Sequence, residues 1–165
     1  MNNQANNTPA TVVFSMGLPA AGKSTWISEN LADTHTIIDP DAVKESHADY
    51  DPKNPHALHA WSQEIVEGLW ADALVTGAGL WVVDGTGTNA EKMVRRINEA
   101  RAAGYRVELV YVTCSLETSL RRNAARPRVV PPAVVKAKAL DIATSFDLVS
   151  PHADAVTIVD NNADR

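Results

Sequence analysis

The feature that most constrains the fold is the stretch "GLPAAGKSTW", which directly follows the apolar run "TVVFSM". Gly17, Gly22, Lys23 and Ser24 match the pattern G-x-x-x-x-G-K-[ST], in which a glycine-rich loop joins a buried strand to a helix. Glycine permits a positive φ and lets backbone N–H groups approach phosphate oxygens closely. The stretch therefore predicts an α/β protein that holds the phosphates of a nucleotide at the start of its first helix.

The polar residues of this loop have separate expected roles. Lys23 is predicted to bridge the outer phosphates and to act in catalysis, and Ser24 is predicted to be a ligand of Mg²⁺. The amino end of the helix adds partial positive charge. The predicted nucleotide-binding residues are Gly17, Leu18, Pro19, Ala20, Ala21, Gly22, Lys23, Ser24 and Thr25.

Strand-like and helical segments alternate along the chain. The predicted strands are "TVVFSM", "TIID", "LWVV", "RVELVYV" and "DAVTIV". Because these strands are apolar and separated by helices, they predict the P-loop NTPase fold, a five-stranded parallel sheet with helices on both faces. Right-handed crossovers put the carboxyl end of every strand at one edge, where ligands bind in such sheets.

The longest predicted helix lies within "HALHAWSQEIVEGLWADALVTG" and ends at Gly77, which suits a left-handed cap. Steps of three and four residues predict that one apolar face contacts the core. That face comprises Leu58, Trp61, Ile65, Leu69 and Ala73. The tryptophans are expected to pack in the core and are Trp26, Trp61, Trp70 and Trp81.

Composition limits the class of protein. A chain of 165 residues suits one domain, expected over residues 11–160, with a disordered lead-in over 1–10 and a tail over 161–165. The formal net charge of −5 argues against a broad nucleic-acid-binding face. No apolar run approaches the roughly 20 residues that span a bilayer. Cys114 is the only cysteine, which agrees with a reducing compartment, so we expect a cytoplasmic protein with no membrane association.

The second strand ends in "IIDPDAVKESH", which carries Asp39 and Asp41 two residues apart and the basic side chains of Lys44 and His47. Asp41 is the predicted catalytic base, since a carboxylate here could accept a hydrogen bond from an attacking hydroxyl; it could equally cap the next helix. Asp39 is expected to shape the turn or support the substrate site. Lys44 and His47 are candidate substrate-binding residues, with solvated side chains as the alternative.

The third strand ends in "VVDGTGTN". Asp84 occupies the place where P-loop proteins keep a second acid, which holds Mg²⁺ through water or contacts the acceptor. Thr86 offers a hydroxyl for the substrate, although a turn would use it too. Both residues are predicted to bind substrate.

A basic run, "LRRNAARPRVVPP", follows the fourth strand. An arginine delivered to a transferring phosphoryl group stabilises the charge that develops on its oxygens. Arg122 and Arg126 are four residues apart, which predicts that they project from one face of a helix as a catalytic lid. Arg121 and Arg128 are secondary candidates, and a solvated basic face is the alternative.

These motifs together resemble small P-loop kinases of the zeta-toxin and polynucleotide 5′-kinase branch. "GLPAAGKSTW" and "RRNAARPRVVP" resemble the phosphate loop and lid of polynucleotide kinases, whereas "IDPDAVKESHADYDP" and "VVDGTGTN" look more like zeta toxins. The resemblance covers about Thr11 to Val159. It implies ATP as donor, Asp41 as activator of the acceptor hydroxyl, Arg122 and Arg126 on the transferring group, and Asp84 and Thr86 on the substrate.

Three functions follow from this reasoning. The first is an ATP-dependent kinase acting on a hydroxyl of a nucleotide or nucleic-acid end. The second is a zeta-toxin-like kinase of a nucleotide sugar of the UDP-N-acetylglucosamine type. The third is a nucleotide-binding module with little turnover that works through a partner protein, and the sequence does not identify such a partner. Zeta toxins usually have Glu at the position of Asp84, so the resemblance does not assign the acceptor of either family to this chain.

Overall fold

A computed structural model describes residues 9–31 and 33–163. Residues 1–8 of the predicted lead-in and residues 164–165 of the predicted tail lie outside this range. The strands are β1 Thr11–Met16, β2 Thr36–Ile38, β3 Leu80–Val83, β4 Arg106–Thr113 and β5 Ala155–Asp160. The α-helices are α1 Lys23–Asn30, α2 Pro40–Glu45, α3 His59–Thr76, α4 Ala90–Ala102, α5 Leu116–Ala124 and α6 Pro132–Val149. Short 3₁₀ helices cover Pro55–Leu58 and Ser150–His152.

The strands form one five-stranded sheet in the order β2-β3-β1-β4-β5, and every pair is parallel. This confirms the predicted fold class. β1 is central, between β3 and β4, and all six of its residues are buried. Because neighbouring side chains of a strand point to opposite faces, burial of all six means that both faces of the sheet are covered at its centre. The loop that follows β1 therefore begins from the most rigid part of the sheet.

The left-handed cap predicted for the end of α3 is present, and side chains cap three other helices. Gly77 adopts the left-handed conformation, with φ of 57°, and closes α3. The side chains of Asn89 and Ser115 accept hydrogen bonds from the N–H groups of Lys92 and Thr118, and so cap α4 and α5. Asp39, rather than Asp41, caps α2.

The predicted apolar face of α3 is wrong by one position over most of its length, although Ala73 is buried as predicted. The buried residues are Ser62, Val66, Trp70 and Ala73, whereas Ile65 is exposed. Trp70 sets this orientation because its ring meets that of Phe14 edge-on, with centroids 5.9 Å apart. Helix α3 carries apolar residues on more than one side, so the spacing of its apolar residues does not by itself identify the buried face. Of the four tryptophans only Trp70 is fully buried, while the others are half-buried.

Within the described residues, no helix has the length and apolar character needed to cross a membrane.

Candidate active site

The phosphate loop follows β1 and opens α1, as predicted. Its backbone alternates into the left-handed region, with φ of 58° at Ala20 and 101° at Gly22. Such alternation turns successive N–H groups toward a common point and forms a concave anion-binding nest. Lys23 Nζ donates to the carbonyl oxygens of Gly17 and Leu18, at 3.1 Å and 3.2 Å. The lysine head is therefore held over the loop in the position from which it would meet a phosphate.

Two elements distant in sequence hold the loop in this shape. The buried hydroxyl of Ser119 on α5 donates to the Pro19 carbonyl at 2.7 Å. Asn161 Nδ2, just after β5, donates to the Ala21 carbonyl at 2.7 Å. A Cβ atom at Gly22 would lie 2.3 Å from that Asn161 nitrogen, so only glycine fits here. The described part of the predicted tail thus packs against the loop.

The charge of Lys23 is set by its surroundings. Burial lowers the pKa of Lys23, while the carboxylates of Asp84, Asp39 and Asp41 raise it and the Arg126 guanidinium lowers it further. The net direction is downward. The charges that act on Lys23 come from three carboxylates that follow β2 and β3 and from the candidate lid arginine. The structure therefore brings the predicted catalytic residues Lys23, Asp41 and Arg126 into one region.

Asp41 is engaged by two basic groups. Arg128 Nη2 lies 2.8 Å from Asp41 Oδ2, and Lys44 Nζ lies 3.5 Å from Oδ1. Arg128 also approaches Glu45, at 3.8 Å. Burial raises the pKa of Asp41, but the hydrogen bond and charge of Arg128 and the charge of Lys44 outweigh it, so the pKa is lowered. Asp41 is therefore held ionised. Lys44 is buried and paired, which differs from the solvated alternative.

Asp39 has a structural task beside the site. Its Oδ1 accepts a hydrogen bond from the Asp41 N–H at 2.8 Å and so caps α2. Burial raises the pKa of Asp39, the hydrogen bond from the Asp41 N–H opposes this, and the charges of Asp84 and Asp41 raise it further; the net direction is upward. Asp39 thus stabilises the first turn of α2, on which Asp41 lies.

The segment after β3 lies against the phosphate loop. Asp84 accepts a short hydrogen bond from the hydroxyl of Ser15 on β1, and the same hydroxyl accepts from the Gly85 N–H at 3.3 Å. The Thr86 carbonyl accepts from the Gly17 N–H at 3.2 Å. These contacts place Asp84 and Thr86 beside the phosphate loop, while their binding of substrate stays a prediction.

The predicted arrangement of the lid arginines is wrong. Helix α5 ends at Ala124, so Arg126 lies beyond it and does not share a helical face with Arg122. The reason is Pro127, because a helix usually ends at or before the residue that precedes a proline. Arg122 donates to the Asn161 carbonyl at 2.7 Å and to the Ala163 carbonyl at 2.9 Å, whereas Arg126 is exposed.

His47 lies apart from this constellation. Its ring meets that of Trp61 edge-on, with centroids 4.5 Å apart, and its Nδ1 accepts from the Asp49 N–H at 3.1 Å. It lines neither of the two cavities described below.

Two cavities flank the phosphate loop. The first, which we call the loop cavity, has a volume of about 320 Å³. Its lining residues are Ala20, Gly22, Thr25, Trp26, Val112, Arg122, Val159, Asn161 and Ala163. It opens beside the helical end of the phosphate loop. An apolar indole, two valines and a guanidinium are groups on which a planar base can pack.

The second cavity, which we call the strand-end cavity, has a volume of about 370 Å³. It lies at the carboxyl ends of β1 and β3 and is lined by Ser15, Asp84 and Thr86 together with side chains of α3, α4 and α6. The last group comprises His59, Gln63, Lys92, Met93, Arg96 and Lys138. The two cavities thus lie on the β5 and β3 sides of the phosphate loop.

Several residues that contact the phosphate loop or Asp84 were not predicted from the sequence. Ser15 could have been found as the only polar residue between apolar neighbours at the end of β1. Ser119 and Asn161 carry no local signal, since their partners lie 100 and 140 residues away in sequence. Arg128, a secondary candidate, is the arginine that contacts Asp41.

The residues present fit Mg²⁺ at the phosphate loop. Mg²⁺ in nucleotide sites keeps several waters and takes only one or two protein ligands beside the phosphates. Ser24 is exposed and lies in the first turn of α1, directly after the phosphate loop. Among residues 9–31 and 33–163 no group of three His, Cys, Asp or Glu side chains could hold a metal alone.

Comparisons with known proteins agree with this fold. A family model described as an AAA domain matches residues 12–149. A search of curated protein sequences found no match. A chain of the AvrRxo1-ORF1:AvrRxo1-ORF2 complex with ATP superposes with a TM-score of 0.75 at 19% identity, over 88% of this chain and 51% of that one. The present chain thus spans about half the length of that protein.

Two further solved structures have similar folds. One is from the PezAT chromosomal toxin–antitoxin system of Streptococcus pneumoniae, with a TM-score of 0.67 at 17% identity, over 94% of this chain and 69% of that one. The other is a proposed kinase from Chloroflexus aurantiacus, with a TM-score of 0.60 at 16% identity, over 94% and 87%. Identities this low establish a shared fold.

Proposed function

This chain belongs to the AAA domain family, and from that premise we propose that it is an ATP-dependent kinase. It would transfer the γ-phosphoryl group to a hydroxyl of a nucleotide or nucleic-acid acceptor. The observation that carries the proposal is the position of three carboxylates beside the phosphate loop. Asp84 is hydrogen-bonded to Ser15 just before the loop, Asp39 caps the helix that carries Asp41, and the charges of all three raise the pKa of Lys23. ATP as donor is supported by the similar fold that was solved with ATP.

The donor would lie across the phosphate loop with its base in the loop cavity. Lys23 would exchange the carbonyls of Gly17 and Leu18 for phosphate oxygens, which are stronger acceptors because they carry charge. Mg²⁺ would be held by Ser24 and would neutralise charge on the phosphates when bound. Arg122 lines the loop cavity and would contact the nucleoside, not the transferring group.

The acceptor would lie in the strand-end cavity with its hydroxyl toward Asp41. A carboxylate held ionised by Arg128 and Lys44 can accept the hydroxyl proton as the phosphoryl group leaves ATP. Arg126 is exposed and close enough to Lys23 to affect its pKa, so it is the arginine suited to the transferring group. Asp39 would hold Asp41 in place, and Asp84 and Thr86 would line the acceptor path.

Radiolabelled ATP offered separately with a 5′-hydroxyl oligonucleotide and with UDP-N-acetylglucosamine tests this function. Label on the oligonucleotide is the expected result, and Lys23→Met is the inactive control. Label on the nucleotide sugar alone would assign the zeta-toxin-like alternative. Binding of ATP with label on neither acceptor would contradict the kinase proposal.

One observation favours the low-turnover alternative, in which the chain binds nucleotide and signals through a partner. Arg128 is hydrogen-bonded to Asp41 in this structure, and a carboxylate paired in this way is a weaker base than a free one. The two functions differ in their response to Asp41→Asn. This substitution would abolish a kinase activity but would leave a nucleotide-dependent partner interaction unchanged.

A further inference from the structure

The strand-end cavity contains a lysine that has no carboxylate partner in the described part of the chain. Lys138 on α6 is half-buried, and its Nζ donates to the Thr86 hydroxyl at 3.0 Å. Within residues 9–31 and 33–163, no carboxylate oxygen lies within 4.0 Å of this nitrogen. An ammonium group has three donor hydrogens, and one threonine hydroxyl satisfies only one of them. The remaining donors are available to a ligand in the cavity.

A second cationic pair lines the same cavity from α4. Lys92 and Arg96 share one carboxylate, that of Glu67, at 3.4 Å and 2.7 Å. Arg96 is only 5% exposed, and its Nε has no hydrogen-bond partner among the described residues. Buried guanidinium groups normally have their N–H donors satisfied. The Nε atom itself is out of reach of solvent, so Arg96 contributes positive charge to the cavity wall rather than an open donor.

The charges of the lining do not balance. Lys92, Arg96 and Lys138 supply three positive charges, while Asp84 is the only acidic residue in the lining. Asp84 offsets one of these charges, and Glu67, outside the lining, offsets one of the two α4 cations, which leaves one positive charge in excess. The excess positive charge lies on the α6 side, at Lys138.

We propose that the strand-end cavity is an anion subsite, in which Lys138 binds a phosphate or carboxylate group of the acceptor. The subsite deepens the proposed function, on which it rests for the statement that the bound molecule is the phosphoryl acceptor. The anionic group binds next to Thr86, and the acceptor hydroxyl extends past Asp84 toward the phosphate loop. Thr86 is adjacent to that loop, since its carbonyl accepts a hydrogen bond from the Gly17 N–H. A neutral sugar or alcohol would leave Lys138 uncompensated and is excluded as the preferred substrate.

The test uses the full chain with the donor site saturated by Mg²⁺ and a non-hydrolysable ATP analogue. Inorganic phosphate and acetate are titrated separately at constant ionic strength, and binding is followed by the methyl NMR signal of Thr86, assigned with Thr86→Ser. At least one anion should shift this signal to saturation. Lys138→Met should weaken that binding roughly tenfold, the effect of losing one charge-assisted hydrogen bond.

Matched variants keep the test specific. Lys136→Met removes an exposed lysine two residues away on the same helix and should leave the affinity unchanged. Lys138→Arg keeps the charge and should retain most of the affinity, which separates charge from folding. The proposal is overturned if neither anion shifts the signal, or if Lys138→Met binds as tightly as the unaltered chain. Binding of the ATP analogue is measured before the anion is added. Its failure to bind would count against the proposed function and not against the anion subsite.

Discussion

Arg128 Nη2 lies 2.8 Å from Asp41 Oδ2, so an arginine from the segment after α5 holds the carboxylate at the start of α2. This contact joins two parts of the chain that are 87 residues apart. It keeps Asp41 ionised, since the lowered pKa of Asp41 arises from Arg128 and Lys44 acting against burial. It also couples the position of the basic segment to the chemistry of the candidate base.

Arg128→Met should lower the free energy of unfolding at pH 7. Because the folded-state pKa of Asp41 lies below its unfolded value, the stability from this pair is present above that unfolded value, about pH 4. It is lost as the pH falls through the folded-state pKa. Asp41 is half exposed, so the difference at pH 7 should be only about 0.5–1 kcal/mol.

Urea unfolding at a series of pH values checks this expectation. Arg126→Met is the control, since its side chain is exposed and should change stability little. A difference between Arg128→Met and the unaltered chain that persists unchanged at about pH 2, below the reference carboxyl pKa, would contradict the ion-pair assignment.

Gly87→Ala should destabilise the fold by about 1–3 kcal/mol. Gly87 has a φ of 73°, and a Cβ there would lie 2.5 Å from Met16 Cγ in the core. Gly85→Ala is the matched control, because its Cβ would meet nothing closer than 4.0 Å and its φ is not positive. Thermal unfolding of the two variants measures the contrast. Equal stability in both would mean that the segment after β3 is not packed against β1 as described.

Ser119→Ala should destabilise the protein by about 1–2 kcal/mol, because the Pro19 carbonyl loses its buried donor. The same change should weaken ATP binding several-fold, since α5 would no longer hold the phosphate loop. Ser28→Ala removes an exposed hydroxyl-to-carbonyl bond of similar length and should do neither. Calorimetric titration with the ATP analogue separates these outcomes, and unchanged affinity in Ser119→Ala would contradict the coupling of α5 to the loop.

The sheet, the phosphate loop and the positions of Asp41, Asp84 and Thr86 were predictable because their signals are local in sequence. A glycine pattern and an acid at a strand end specify their own geometry. The face of α3 was not predictable, since it depends on the contact between Trp70 and Phe14, which belong to distant segments.

The partners of the site residues required the three-dimensional structure for the same reason. Arg128 contacts Asp41 and Lys138 contacts Thr86 only because the sheet brings distant loops together. The position of Arg126 outside α5 could have been predicted from the sequence, because the adjacent Pro127 indicates that the helix ends before it. The four-residue spacing of the arginines alone does not include this signal.

The most direct test of the account is the rate of phosphoryl transfer from radiolabelled ATP in Asp41→Asn, measured beside the affinity for ATP. Glu45→Gln is the matched control, because Glu45 also approaches Arg128 but is one turn further along α2. We expect Asp41→Asn to transfer the phosphoryl group roughly 10²- to 10⁴-fold more slowly, with ATP affinity unchanged and Glu45→Gln nearly fully active. Transfer by Asp41→Asn at the rate of the unaltered chain would contradict it.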